Sequence, residues 1–158
     1  MMKSSEKHVA PGGEVSARRF RLRGLAVLLP CLAVLGVSAW LTPDPRGVGT
    51  HEQLGLGTCS MLIDRGWPCP GCGLTTAFAS TANGQLVAAF QAQAAGPILL
   101  AAVVLLAVAA AVELATGRDQ LRRFRPGWWC VIAPILVILI GWGIKAYIGW
   151  KTGMYPLR

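Results

Sequence analysis

Charge is what this sequence lacks. Only 14% of its 158 residues are Asp, Glu, Lys or Arg, against roughly 25% in an ordinary soluble domain. None of the four occurs over 24–43, 66–112 or 126–144, runs of 20, 47 and 19 residues that together exceed half the chain. A soluble enzyme domain has too little polar surface on these terms. A disordered chain is excluded by the 54% hydrophobic content, and a disulfide-stapled miniprotein by the length of the apolar runs. Also missing are a glycine-rich phosphate loop, a His-Glu-x-x-His pair, a Gly-x-Ser-x-Gly elbow and any internal repeat. What remains is an all-α integral membrane protein.

Fifteen basic residues against seven acidic ones invite a nucleic-acid partner. Their grouping argues against it and for the lipid bilayer. Lys3, Lys7, Arg18, Arg19, Arg21 and Arg23 precede the first apolar block, and Arg118, Arg122, Arg123 and Arg125 separate the second from the third. Only Arg46 and Arg65 lie between the first and second, and Lys145, Lys151 and Arg158 close the chain. Rich and poor flanks alternate, which is the topology signal of a polytopic protein.

About 20 apolar helical residues cross the ~30 Å hydrocarbon layer. Three transmembrane helices are therefore expected, at about 24–41, 97–115 and 128–147. Pro30 and Pro134 are expected in the first two turns of their helices, and Pro97 at the start of its own, where a missing N–H costs least. With the basic-rich flanks inside, residues 1–23 form a disordered cytoplasmic tail, and 42–96 form an extracytoplasmic loop. Trp142, Tyr147 and Trp150 are expected in an outer aromatic belt, with Trp128 and Trp129 in an inner one. Lys145 is expected to snorkel to the outer headgroups, and Glu113 to reach the headgroup region at the inner end of its helix. A rival for the first span is a cleavable signal peptide ending near Val37-Ser38-Ala39, which would leave two helices.

Chemistry concentrates in the loop. Cys59, Cys69 and Cys72 are spaced C-x9-C-x2-C, with Cys69 and Cys72 in a Pro-Gly turn that lets both sulfurs face one side. From Thr75 to Thr81 the composition turns helical, Asn83-Gly84 is a stop, and Gln85 to Ala95 is a second short piece; both are expected to lie against the bundle as interfacial helices. Three readings of the cysteines stay open. One is a structural disulfide in an oxidising compartment. Another is thiol redox chemistry, with Cys72 at a helix start and Cys69 as resolving partner, although the usual βαβ context is missing. The third is a zinc site of Cys59, Cys69 and Cys72 with His51 as the candidate fourth ligand, although no second Cys-x-x-Cys exists. Cys31 and Cys130 are too far along their helices to join and read as small apolar fillers. Asp64 and Arg65 read as solvated surface.

The order of these features resembles a known family. Cys59 is followed by Gly66-x-Pro68-Cys69-Pro70-Gly71-Cys72-Gly73-Leu74-Thr75, a small-residue helix, Gly84 with Ala88-Ala89, a Pro-opened span, and a third span ending Gly141-Trp142-Gly143-Ile144-Lys145. Over about 50–150 this resembles the bacterial membrane family catalogued as domain of unknown function 2752. The resemblance implies a membrane location and no particular activity. It carries over Cys59, Cys69, Cys72, Gly71, Gly73 and Thr75 as the matched motif. Thr76 stands where many members have Arg, and Gly96-Pro97 where they have Asn-Pro, so no role of that Arg transfers. With no nucleophile beside a base, no full metal shell and no polar path, the chain leans non-enzymatic. Its loop is expected to be a docking or assembly element for another membrane or secreted protein, with thiol-disulfide or zinc chemistry at Cys69 and Cys72 as the alternative.

Overall fold

The computed structural model describes residues 11–124 and 127–154. Six α-helices and no strand occur among them: α1 (Pro11–Trp40), α2 (Ser60–Arg65), α3 (Leu74–Ala82), α4 (Leu86–Ala92), α5 (Ala95–Thr116) and α6 (Trp129–Lys151). Short 3-10 turns at Thr50–Leu54 and Leu121–Phe124 complete the order. Three helices are long and apolar enough to cross a membrane, Ser16–Trp40, Ala95–Thr116 and Trp129–Lys151. The uncharged blocks thus foretold the spans, and the all-α multi-pass architecture stands.

The first helix begins earlier than expected. Residues 11–23 continue α1 downward instead of forming a tail; the expected tail at 1–10 lies outside the described residues, as do Arg125 and Arg158. Arg and Ala are strong helix formers, and this turn has something to pack on. A Cβ on Gly117, which ends α5, would meet Ala17 Cβ at 3.3 Å and Arg21 Nε at 3.4 Å. The early start also places Pro30 mid-helix instead of in the first two turns.

α1 and α5 form the most extensive pair. Their closest approach is backbone on backbone: a Cβ on Gly24 would lie 2.9 Å from the Ala110 carbonyl oxygen and 3.0 Å from Leu114 N. Ala107 and Ala110 are buried in the same seam. Small residues permit this contact, which matters where lipid removes the hydrophobic drive between helices. α3 and α4 make a tight hairpin laid against α1 and α5, with Ala77, Ala79, Ala89 and Ala92 all buried. Here too a glycine sets the distance, since a Cβ on Gly96 would collide with Ala77 Cβ.

At the end of the bundle away from the cysteines, Glu113 is fully buried instead of exposed among headgroups. Arg23 Nε and Nη2 donate to its two carboxylate oxygens at 2.8 and 2.9 Å, and the Leu121 N–H donates to Oε2 at 2.7 Å. Arg23 also pairs with Asp119. The chain after α5 folds back over the carboxylate, which is why it is covered. This clamp ties α1, α5 and the following loop together.

Two stability outcomes follow from this packing. Gly96→Val should cost about 1–3 kcal/mol through overpacking on Ala77, whereas Gly143→Ala, with no atom near its Cβ, should gain about 0.5 kcal/mol of helix propensity; thermal unfolding of the detergent-solubilised chain separates them. Glu113→Ala strands Arg23 and the Leu121 amide. Because Arg23 is partly exposed and can rehydrate, the cost should be about 2–3 kcal/mol, at or below the usual range for breaking a buried pair, and an unchanged melting temperature would refute the clamp.

Candidate functional site

α2 ends at Gly66, and the chain then makes two successive tight turns. The Cys72 N–H donates to Cys69 O at 2.9 Å and the Leu74 N–H to Gly71 O at 3.1 Å. The wrap brings Cys69 Sγ to 3.1 Å from Cys72 Sγ and points the Cys69 N–H at Cys72 Sγ, 3.2 Å away. Cys59 arrives from the other side of α2, where its carbonyl accepts the Leu62 and Ile63 amides. The three sulfurs all lie within 4.8 Å of one another. Cys72 is buried, and Cys59 and Cys69 are half-buried.

Every second carbonyl of the turn is capped by a side chain from elsewhere. Trp142 Nε1 donates to Pro68 O at 2.7 Å, Gln93 Nε2 to Pro70 O at 3.1 Å, and Lys145 Nζ to Cys72 O at 3.3 Å. Lys145 also donates to Ala92 O at 2.7 Å, at the end of α4, where a cation meets the negative end of a helix. Lys145 therefore turns inward instead of snorkelling, and Trp142 leaves the expected aromatic belt for the turn. Tyr147 and Trp150 stay exposed. Gly73 sits where these elements converge. Its φ is +88°, and a Cβ there would collide with Ala92 O and lie 2.7 Å from Lys145 Nζ and 2.8 Å from Gly47 O, so only glycine fits. Gly141 lets α6 approach in the same way, its Cβ position lying 3.0 Å from Ala95 N.

Other motif residues fare differently. Gly71 has no positive φ, and a Cβ would only touch Cys69 Sγ at 4.0 Å, so neither conformation nor space demands glycine. Thr75 lies in the first turn of α3, half-exposed and without a side-chain hydrogen bond among the described residues; the buried threonine is Thr76, whose Oγ1 is 2.8 Å from Thr50 Oγ1. His51 is not brought to the sulfurs. Its Nε2 bonds Gly57 O at 3.1 Å, so the candidate fourth zinc ligand drops out and the cluster among the described residues is made of three cysteines alone. Cys31, buried in α1, and Cys130, exposed at the start of α6, also stay outside it.

A family model described as a protein of unknown function (DUF2752) matches residues 59–107. The resemblance holds over that stretch. It runs from Cys59 through the cysteine turn, α3 and α4 into α5, and is shorter than the 50–150 expected, leaving Trp142 and Lys145 outside it. No curated protein and no solved structure matches the chain.

Lys145, Trp142 and Gln93 were the residues missed as parts of the site. The available signal was spacing: Gly141, Lys145 and Gly149 recur every fourth residue on one face of α6, a poor face to offer lipid.

The thiols differ in acidity. Burial, then hydrogen bonding to Cys69 and Cys59, pushes the Cys72 thiol up to about 12. Burial opposes ionisation of Cys59 as well, but the Leu62 amide, the neighbouring thiols of Cys72 and Cys69 and the Met61 amide outweigh it and hold Cys59 below the ordinary thiol value. In reduced, metal-free protein, iodoacetamide at pH 8 should modify Cys59 well before Cys72, because the thiolate is the nucleophile. Cys72 should stay protonated and protected until much higher pH. Peptide mass mapping over time reads the order, and Cys72 labelling first would contradict it.

Proposed function

We propose that this multi-pass membrane protein presents an open three-thiolate site for a thiophilic metal ion, zinc foremost, on its extracytoplasmic face. The observation that carries the reading is the convergence of all three sulfurs. A disulfide staple needs two cysteines and gives no reason for the chain to fold Cys59 back onto Cys69 and Cys72. Soft thiolates select zinc or copper(I), and three protein ligands leave a fourth position open, as in zinc sites that take an external ligand. Binding zinc expels the thiol protons, giving a zinc tris-thiolate unit with one net negative charge, and metal coordination overrides the high proton affinity of Cys72. The Lys145 ammonium, held on the carbonyl of Cys72 itself, sits where it offsets that charge. The extracytoplasmic assignment rests on the basic residues, which concentrate before the apolar part of α1 and between α5 and α6, at the end away from the thiols.

A docking role for the loop is the second reading. Leu56 and Ile63, beside the thiol cluster in sequence, are 57% and 67% exposed and offer an apolar surface to another membrane or secreted protein. The ion and the docking face are compatible, since filling the site would stiffen the loop that bears these residues.

Zinc titration of the purified full chain against a competing chelator tests the proposal. One ion per chain should bind, with proton release, and Cys59→Ser should weaken binding at least as much as the roughly 10–100-fold typical of outer-shell losses, as should Cys69→Ser and Cys72→Ser. A stable Cys69–Cys72 disulfide in native membranes, with no zinc bound after reduction and Cys59→Ser silent, would replace the metal site with a staple.

A further inference from the structure

A cavity of about 830 Å³ lies beside the thiol site, between the α3–α4 hairpin and the C-terminal half of α6. That volume is in the range of small-molecule sites. Its lips are apolar: Val87 and Phe90 on α4 and Ile144 on α6 line it and are 74%, 51% and 48% exposed. Lips of this kind suit an acyl chain better than a water-borne ligand. Polar side chains also line the cavity, and Thr76 and Ser80 are the buried ones among them. Thr76 and Ser80, one turn apart on α3, line one wall and Lys145 lines the other.

Two of these groups have bonding capacity left over. Ser80 is 1% exposed, and its hydroxyl makes no hydrogen bond among the described residues, so it can turn toward a ligand; the fully buried side-chain atom left without a partner among those residues is Gln93 Oε1, beside Gly141. Lys145 carries three donors, of which two are spent on carbonyls, and no carboxylate pairs with it among the described residues. Asp44 and Arg46 also line the cavity but neutralise one another at 2.7 Å. The net charge of the lining is therefore positive and resides on Lys145.

We propose that this cavity binds an anionic phospholipid of the surrounding bilayer, its phosphodiester between Lys145 Nζ and the Ser80 and Thr76 hydroxyls, and an acyl chain leaving past Val87, Phe90 and Ile144. A phosphodiester has acceptor oxygens enough to take donors from both walls at once. The site needs no metal and no thiol; it shares Lys145 with the three-thiolate reading, and the cysteine variants separate the two.

Native mass spectrometry of the full chain from micelles doped equally with phosphatidylglycerol and phosphatidylcholine tests it. Both lipids offer the phosphodiester, but phosphatidylcholine also brings a quaternary ammonium that a cationic lining disfavours, so phosphatidylglycerol adducts should exceed phosphatidylcholine adducts by about tenfold. Ser80→Asp places a carboxylate where the lipid anion would sit; it should pair with Lys145 and abolish the preference without loss of folding. Val87→Trp, at an exposed lip, should reduce adducts of both lipids and guards against a folding failure of Ser80→Asp. Cys59→Ser and Cys72→Ser should leave the preference intact. Equal retention of the two lipids, a preference unchanged in Ser80→Asp, or binding of inorganic phosphate without lipid retention would overturn the proposal.

Discussion

Backbone carbonyls that cannot reach water must find donors within the protein, and the cysteine turn meets this constraint in an unusual way. Pro68, Pro70 and Cys72 each present a carbonyl that no helix or sheet ladder uses, and each is taken by a side chain from another element. Two of the three donors, Trp142 and Lys145, belong to α6. An unpaired buried carbonyl costs about 1–3 kcal/mol, so these bonds are the terms on which a Pro- and Gly-rich loop is folded against a membrane bundle. With the carbonyls held outward by their donors, the sulfurs of Cys69 and Cys72 are left facing Cys59.

The same contacts explain how α6 belongs to the fold at all. α1 and α5 hold each other through Gly24 and the alanine seam, and at the far end through the Arg23–Glu113 clamp. α6 has no such seam. Much of its surface, including Val131, Ile135, Leu139 and Ile140, is exposed and suited to lipid. Its buried positions, Gly141 and Gly149, lie on the face that carries Lys145. The third span is thus attached chiefly at its cysteine end, and Lys145 serves three neighbours there: the turn, the C-terminus of α4 and the wall of the adjoining cavity.

Much of this was legible beforehand. Uncharged blocks located all three spans because nothing else explains so long an absence of charge, and Asn83-Gly84 divided the two short helices where the structure divides them. The cysteine turn was legible because Pro and Gly leave few ways to arrange Cys69-Pro70-Gly71-Cys72. What escaped was every feature set by long-range pairing. Glu113 looked like a headgroup residue because its partner Arg23 is 90 positions away. Lys145 looked like a snorkelling lysine because the carbonyls it caps come from two other segments. His51 was a candidate ligand by type alone, and only the fold shows it engaged with Gly57. The start of α1 is not legible in the same way, because polar residues mark the end of a span yet continue its helix.

The central claim is that α6 side chains hold the cysteine turn in shape. Hydrogen exchange across residues 69–74 in Trp142→Phe, compared with the unaltered chain, tests it most directly, since the substitution keeps an aromatic ring and removes the N–H that Pro68 accepts. Exchange of the Cys69, Cys72 and Leu74 amides should quicken by about five- to tenfold, the worth of one net hydrogen bond. Identical protection in the two proteins would mean that the turn keeps its form unaided, and that the third span merely rests beside it.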